Sequence, residues 1–239
     1  MTVRWEELGW ERLADGVGRC RLPVWDCTVG LIIGDDFALL VDAGSSLGEG
    51  ARLRAQAQAL AGRDITAVAL THHHFDHVFG AAAFAPAPVF AADGAQWAYR
   101  DGRDESRDDA VRNGLDATAA QQAADALAPP QEYVREVTTL QPSAGREISL
   151  VHIGPGHTGH DLAVVVSGDP TVMFCGDLVE ESGEPQAGPD AVPSRWPAAL
   201  DRLLELGGPD ALYVPGHGAV VDAGFVRRQR DALAARFGG

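Results

Sequence analysis

A cluster of histidines constrains this sequence more than any other feature. The stretch THHHFDH at 71–77 holds four of the chain's eight histidines and one aspartate, and it directly follows the apolar stretch ITAVAL at 65–70. A short apolar run of this kind is typical of a buried strand. Because the connections that leave strands in α/β sheets commonly carry functional side chains, the cluster predicts a site at the end of a strand.

The spacing within the cluster is compatible with metal binding. In an extended segment, residues two apart point to the same side, so His72, His74 and Asp76 converge. His77 joins them if the chain turns into a helix there, and Thr71 serves as a spacer. A metalloprotease helix would need Glu at position 74, which is His. On this stretch alone, a solvated histidine-rich loop remains the alternative.

Further candidate ligands follow predicted strands elsewhere in the chain. Three stretches end a strand on an imidazole or a carboxylate framed by glycine: His157 in GPGHTGHD (154–161), Asp177 in VMFCGD (172–177) and His217 in YVPGHG (213–218). Glycine allows the backbone to turn sharply at such points. Taken alone, a residue of this kind after a strand is more often a hydrogen-bonded turn residue than a ligand. Together with Asp42, they form a set that core packing does not explain.

Strand and helix signals alternate along the whole chain. The first predicted elements are a hairpin of 28–33 and 37–44, whose second strand stops at Asp42. The other predicted strands are 65–70, 89–92, 134–140, 147–153, 162–167, 171–175 and 211–214. The predicted helices are 48–61, which Gly62 ends, 77–85, and two that begin near Trp196 and Gly224. The polar and then alanine-rich residues 93–130 predict an inserted helical lid. Since no linker is evident, we expect one domain over 1–239. The mixture of strands and helices predicts a layered α/β sandwich.

Composition excludes several classes of partner. The net charge is −15 and all 19 basic residues are arginine, so a phosphate backbone should be repelled and nucleic acid is not an expected partner. No stretch of about 18 apolar residues predicts a membrane span, and the opening MTVRWEELGW predicts no signal peptide. The cysteines show no CxxC motif and are predicted to be reduced thiols, which favours a cytoplasmic location; they are Cys20, Cys27 and Cys175.

The ordered motifs resemble those of the metallo-β-lactamase-fold hydrolase superfamily. The resemblance covers nearly the whole chain, from VDAG at 41–44 through HxHxDH at 72–77 to PGHG at 215–218, with His157 and Asp177 between them. It implies a four-layer αββα sandwich with a metal site at the edge between its two central sheets.

The resemblance also implies which residues hold two metal ions. The first ion would be held by His72, His74 and His157, the second by Asp76, His77 and His217, and Asp177 would bridge the two. Asp42 would support this site without binding metal. For His160 two interpretations stay open, namely orienting a ligand or forming part of a turn. His73 is predicted to point away from the metals, and His152 is predicted to be structural.

The implied cofactors are two divalent ions, with zinc favoured and iron or manganese also compatible with these ligands. Five neutral imidazoles and two carboxylates leave such a pair an excess charge of about +2. A pair of this kind lowers the pKa of a shared water to about 7. The implied function is a hydrolase that uses a metal-bridging hydroxide on a small ester-like substrate, such as a thioester, lactone or amide. Asp76 would also accept a hydrogen bond from that hydroxide.

Departures from the known subfamilies restrict the substrate. Glyoxalase II-like thioesterases carry Gly-Cys-Gly-Arg after the bridging aspartate, whereas this chain has LVEESGEPQAG at 178–188. Clinical-type β-lactamases have Cys where Asp177 stands and Lys where Glu180 stands, and Glu180 would repel the lactam carboxylate. The alternatives are an iron-dependent oxidoreductase resembling the sulfur dioxygenases, a promiscuous β-lactamase and a non-catalytic binding protein.

Substrate specificity is expected to reside in residues 93–130 and in the loop 179–195. Bulky side chains in and next to these segments are pocket candidates, although each is equally compatible with packing: Trp97, Tyr99, Arg195 and Trp196. The predicted partner is a small molecule, and the sequence makes no prediction of oligomeric state.

Overall fold

Two β-sheets packed face to face form the centre of the protein in a computed structural model that describes residues 3–140 and 146–237. The first sheet has seven strands in sequence order: β1 (Glu11–Ala14), β2 (Val17–Arg21), β3 (Thr28–Ile33), β4 (Ala38–Val41), β5 (Ala67–Ala69), β6 (Val89–Ala92) and β7 (Glu132–Val134). Strands β1 to β4 pair antiparallel, and β4 to β7 pair parallel. Parallel neighbours need crossover connections, and helices supply them.

The helices of this half connect the parallel strands. They are α1 (Leu47–Ala61), α2 (Phe75–Val78), α3 (Gln96–Arg100), α4 (Arg103–Arg112) and α5 (Ala117–Ala126). Short 3₁₀ helices lie at Trp5–Leu8 and Ala81–Phe84. Ser46 caps the N-terminus of α1, and its hydroxyl accepts a hydrogen bond from the Glu49 amide at 3.2 Å; Gly62 caps the C-terminus in the left-handed conformation. The predicted helix at 48–61 is therefore confirmed.

The second sheet contains five strands in the order β12-β11-β10-β9-β8. Their bounds are β8 (Val137–Leu140), β9 (Ile148–Gly154), β10 (Asp161–Val166), β11 (Val172–Glu180) and β12 (Leu212–His217). Strands β11 and β12 pair parallel, and the other neighbours pair antiparallel. A 3₁₀ turn at Pro193–Arg195 leads into α6 (Trp196–Gly207), which connects β11 to β12, and α7 (Ala223–Phe237) follows.

Side-chain alternation along the strands creates three apolar layers. In β4, Leu39 and Val41 face the core between the sheets, whereas Leu40 faces α1 on the outside. In β10, Leu162 packs into the core between the sheets and Ala163 packs against α6. Because successive residues of a strand point to opposite faces, both sheets bury both of their faces. The predicted αββα sandwich is confirmed.

The predicted helix at 77–85 is wrong. Helix α2 ends at Val78, and a 3₁₀ helix follows only at Ala81–Phe84. Between them, the backbone bonds to the segment after β4 instead of continuing the helix: the Ala43 amide donates to the His77 carbonyl at 2.7 Å, and the Gly80 amide donates to Gly44 at 3.0 Å. Tertiary hydrogen bonds thus replace the helical ones.

Two strand predictions also need correction. The single strand predicted at 134–140 is in fact two strands, since β7 ends the first sheet, β8 begins the second, and the chain crosses between sheets at 135–136. The strand predicted to end on Asp177 continues to Glu180, and its register against β12 shifts twice after Phe174. These irregularities place Asp177 inside a strand at the edge of the site.

Residues 93–130 contain the three helices α3, α4 and α5, which lie between β6 and β7. The movement of these helices as a lid, and the single-domain organisation of 1–239, stay predictions. Among the described residues, no helix combines the length and the apolar character that crossing a bilayer requires.

Candidate metal centre

All seven predicted ligands come together at one edge of the sandwich. The connection after β5 and the short helix α2 supply four of them, the β9–β10 connection supplies one, and β11 and β12 supply one each; in chain order they are His72, His74, Asp76, His77, His157, Asp177 and His217. Both sheets therefore contribute side chains to one cluster.

Three imidazoles form the first half of the cluster. The rings of His72, His74 and His157 stand nearly perpendicular to one another, with interplanar angles of 81–88° and centroids 4.7–4.8 Å apart. Nε2 of His157 lies 3.0 Å from Nδ1 of His74, and Oδ2 of Asp177 lies 3.5 Å from the same His157 nitrogen. Three imidazole nitrogens and one carboxylate oxygen thus converge on a common centre.

The second half shares the carboxylate of Asp177. Its Oδ1 lies 3.2 Å from Nε2 of His77, and its Oδ2 lies 3.2 Å from Nε2 of His217. Oδ2 of Asp76 lies 3.4 Å from the same His217 nitrogen and 3.7 Å from Nε2 of His77. Asp177 consequently stands between the two sets of imidazoles.

Asp42 sets the hydrogen bonding of two of the imidazoles. Its carboxylate accepts hydrogen bonds from the Thr71 amide and hydroxyl, both at 2.8 Å, and from Nδ1 of His77 at 2.9 Å. Since the Thr71 hydroxyl donates its proton to Asp42, it accepts from Nδ1 of His72 at 3.0 Å. Both imidazoles therefore carry their proton on Nδ1 and keep the Nε2 lone pair free.

The other three imidazoles are oriented by groups that only accept hydrogen bonds. Nε2 of His74 donates to Asp190 at 3.0 Å, which leaves Nδ1 free. Nδ1 of His157 donates to the Gln186 carbonyl at 3.1 Å, and Nδ1 of His217 donates to the Trp25 carbonyl at 2.6 Å. In all five histidines, the ring nitrogen that faces away from the cluster donates to an acceptor, so each ring in its neutral form presents an unprotonated nitrogen to the cluster. This is the arrangement that metal-binding imidazoles require.

Burial and charge within the cluster shift several pKa values. Burial lowers the pKa of His157 to about 4 and lowers that of His72 well below its usual range. Burial alone would raise the pKa of Asp177, but the neighbouring imidazoles, with His77 and His217 foremost, hold it well below its ordinary value.

The other three imidazoles have raised pKa values, although burial alone would lower them. Cys27 and the neighbouring carboxylates raise the pKa of His77 well above its usual range, Asp177 raises the pKa of His217 to about 9, and Asp190 raises that of His74. A cation binds to these three imidazoles by displacing their protons.

The cluster also contains buried polar atoms that lack a hydrogen bond. Among the described residues, Nε2 of His72 and Oδ1 of Asp177 are fully shielded from solvent and make none. Leaving such atoms unsatisfied costs free energy, which a bound cation would recover. The donor set of imidazoles and carboxylates therefore fits divalent metal ions of the zinc type.

The sequence profile of the metallo-beta-lactamase superfamily matches residues 22–217, a span that includes all seven cluster residues. The chain belongs to the metallo-beta-lactamase superfamily. The resemblance stated from the motifs is thereby confirmed.

Solved metallo-beta-lactamases share the fold of this superfamily member. An enzyme from Hirschia baltica is 18% identical with a TM-score of 0.66, over 94% of this chain and 96% of that one. FIM-1 from Pseudomonas aeruginosa, in its mono-zinc form, is 20% identical with a TM-score of 0.68, over 95% and 94%. An enzyme from Pontibacter korlensis is 18% identical with a TM-score of 0.70, over 94% and 97%. No curated protein matches the chain.

The remaining histidines lie outside the cluster. The His160 ring packs over Gly94, and its described hydrogen bonds join it to Thr158 and to the Asp93 backbone and to none of the seven cluster residues. Both interpretations of His160 stay predictions. Nε2 of His73 lies 3.2 Å from Asp190, and Nδ1 of His152 donates to the Arg135 carbonyl at 3.1 Å.

Sequence reasoning missed several residues that support the cluster. Thr71, predicted to be a spacer, connects Asp42 to His72 through its hydroxyl. Asp190 belongs to a loop that shows no motif, so no sequence signal identified it. Cys27 is buried, and its thiol donates to the Asp76 carbonyl at 3.2 Å and lies 3.7 Å from Nδ1 of His77. Burial raises the pKa of this thiol, which therefore stays protonated.

A cavity of about 410 Å³ opens beside His74 and Asp190, between α3, α4 and the loop around Gly188. Of the four pocket candidates, Trp97 lines it. Tyr99 and Trp196 are buried instead, and the Trp196 indole donates to the Leu178 carbonyl at 2.9 Å.

Arg195, the fourth pocket candidate, and Glu180 do not line this cavity. Arg195 is exposed at the surface. Glu180 is buried, and its carboxylate accepts hydrogen bonds from the Ser182 hydroxyl at 2.6 Å and amide at 3.0 Å. Glu180 also interacts electrostatically with His217 and Asp177, and its repulsion of a lactam carboxylate stays a prediction.

Proposed function

We propose that this protein is a metal-dependent hydrolase that binds two divalent ions, most suitably zinc, and acts on a small ester-like substrate. Membership of the metallo-beta-lactamase superfamily supports the reaction class. The observation that carries the proposal is the set of five imidazoles whose outward ring nitrogens donate to acceptors, so that each ring in its neutral form directs a lone pair into the cluster. A histidine-rich loop without a metal has no need for five such tautomers.

In this proposal the residues divide between two ions. His72, His74 and His157 would hold the first; Asp76, His77 and His217 would hold the second; Asp177 would bridge them. Bound divalent ions supply Lewis acidity and ease the deprotonation of water near neutral pH. Asp76 would in addition accept a hydrogen bond at Oδ2 from the attacking water and so orient it.

The proposed substrate class follows from the size and position of the cavity. Its volume of about 410 Å³ suits a small molecule, and it adjoins His74, so a substrate seated there places a reacting carbonyl beside the cluster. We propose a thioester, lactone or amide. A β-lactam is a weaker candidate because no lysine exists in the chain to bind its carboxylate.

The first experiment is elemental analysis of protein purified without added metal, followed by assays on thioesters, lactones and β-lactams. We expect close to two zinc ions per chain and turnover of at least one ester-like class. About one iron per chain together with oxygen uptake would contradict the proposal and favour an oxidoreductase.

Substitution of Asp76 tests the assignment of the cluster. Asp76→Ala and the conservative Asp76→Asn should both lower kcat by at least about 100-fold, because general acid–base and orienting groups typically contribute that much. His152→Ala is the matched control, since it removes an imidazole outside the cluster and should retain metal content and turnover. Circular dichroism checks the fold of each variant. Unchanged hydrolysis by both Asp76 variants would disprove the mechanism.

A further inference from the structure

We infer that the cavity beside the metal centre selects substrates that carry a cationic group on an apolar scaffold and rejects those that carry an anionic group. The inference rests on the proposed hydrolase function for its reaction, and it adds the chemical class of the substrate. It is carried by the charges and the exposed aromatic surface of the cavity wall.

Carboxylates dominate the charge of the wall. Glu105, Asp109 and Asp190 line the cavity together with one guanidinium, that of Arg112, which gives a net charge of −2 when the histidines are neutral. The chain as a whole carries −15, so the charge of the wall has the same sign as the net charge of the molecule. A concave surface lined by charges of one sign raises the local concentration of ligands that carry the opposite charge.

The Arg112 guanidinium in the wall already forms an ion pair with Asp109. Nη2 of Arg112 donates to Oδ1 of Asp109 at 3.0 Å, so an incoming anion would have to compete with that carboxylate. Asp190 in turn is held by His74 at 3.0 Å. By contrast, the Glu105 carboxylate has no described hydrogen bond or ion pair. Glu105 is therefore the carboxylate free to meet a ligand.

The wall also presents an aromatic face and an unused hydroxyl. Trp97 is 54% exposed although it is one of the largest apolar side chains, and it stands at the cavity. An exposed indole favours a cation through its ring quadrupole and an apolar group through its area. The Ser106 hydroxyl, also in the wall, is buried without a hydrogen-bond partner among the described residues.

These features lie on two adjoining helices. Glu105, Ser106, Asp109 and Arg112 follow one another at helical spacing on α4, and Trp97 comes from α3. Residues three and four apart share one face of a helix, so α4 turns a single acidic face towards the cavity. Residues 93–130, which were predicted to govern substrate specificity, thus supply Glu105, Asp109 and Arg112 to the cavity wall.

A binding experiment on the zinc-loaded full chain tests the inference without turnover. Benzyltrimethylammonium, benzyl alcohol and phenylmethanesulfonate are titrated by ligand-observed NMR at low ionic strength. We expect the ammonium probe to bind about tenfold more tightly than the sulfonate, a difference of about 1.4 kcal/mol. Added salt should reduce the difference.

Reversing the charge of Glu105 tests whether this carboxylate causes the preference for the ammonium probe. Glu105→Lys should abolish or invert the preference for the ammonium probe, and Trp97→Ala should weaken ammonium binding more than alcohol binding. Glu205→Lys is the matched control, because Glu205 is an exposed glutamate on α6 outside the cavity wall and changes the net charge equally. Both lysine variants exchange exposed side chains, so both should fold, as thermal unfolding will verify.

Hydrolysis of matched thioesters separates this inference from the proposed function. Six-carbon acyl thioesters ending in a trimethylammonium, methyl or carboxylate group should show kcat/KM in that descending order. Hydrolysis without this order, equal binding of the three probes, absence of ammonium binding at millimolar concentration, or equal loss in Glu205→Lys would each overturn the inference. If no ester is hydrolysed, the proposed function fails, and the binding experiment still decides the inference.

Discussion

Asp42 has the most consequential environment of any single residue. It is one of two described non-glycine residues with positive φ, at 61°, a conformation that aspartate tolerates better than most residues. Its carboxylate accepts from the Thr71 amide and hydroxyl and from His77, so it determines the proton positions of His72 and His77 together. The Asp42 carboxylate thus orients one imidazole in each half of the cluster, His72 through Thr71 and His77 directly.

We predict that Asp42→Asn weakens zinc binding by about 10- to 100-fold, the usual cost of losing an outer hydrogen-bond partner of a ligand. Asparagine fits the positive φ, but it has one acceptor oxygen in place of two, so either His77 or the Thr71 amide loses its acceptor. A zinc titration against a competing chelator measures the change. Asp26→Asn is the matched control, because Asp26 has φ of 60° and pairs with Arg21 at the surface. Equal zinc affinity in both variants would show that Asp42 serves only to form the turn and does not support zinc binding.

At the scale of elements, the packing of α1 positions the segment that carries Asp76 and His77. Gly50 of α1 lies against Gly80, and a Cβ on Gly50 would come within 2.3 Å of the Gly80 carbonyl oxygen. Gly80 follows α2 and bonds through its amide to Gly44. The close approach of two backbones therefore holds α2 in place and requires glycine at the contact.

Two alanine substitutions in α1 should have opposite effects. Gly50→Ala should lower the free energy of unfolding by about 1–3 kcal/mol because the added methyl group meets backbone. Gly48→Ala, where a Cβ meets no atom within 4 Å, should raise it by up to about 1 kcal/mol because alanine favours the helix. Urea unfolding of both variants measures the difference. Changes of the same sign would show that the contact at Gly80 has no energetic weight.

At the scale of the molecule, the cluster joins the two sheets. The segment after β5 in the first sheet supplies four of its residues, and His157, Asp177 and His217 belong to the second sheet. Metal bound by this set would therefore cross-link both layers and would stabilise only the folded arrangement.

We predict that zinc raises the Tm of the metal-free protein by about 5–10 °C. Saturation at 100 times the Kd adds about 2.7 kcal/mol, and a domain of this size gains roughly 2–4 °C per kcal/mol. Calorimetry with and without zinc measures the shift. Magnesium, which prefers oxygen ligands in octahedral geometry, should leave the Tm unchanged. A Tm that does not respond to zinc would contradict the proposed centre.

Local patterns in the sequence determined the fold class and the members of the cluster. Short apolar runs predicted the strands, Gly62 predicted the end of α1, and the motifs at strand ends predicted residues that the fold brings together. These signals succeed because side-chain alternation and backbone turns are short-range properties of the chain. Where long-range hydrogen bonds compete, as at His77 and Gly80, the helix prediction failed.

Only the tertiary structure decided which nitrogen of each imidazole is free. The acceptors for His74, His157 and His217 lie 116, 29 and 192 residues away in the chain, and two of them are backbone carbonyls with no sequence signature. Tertiary packing likewise decided that α4 turns an acidic face to the cavity beside the centre. The sequence by itself therefore determined which side chains meet, and the folded chain determined their protonation and the charge of the space next to them, because both depend on neighbours that are remote along the chain.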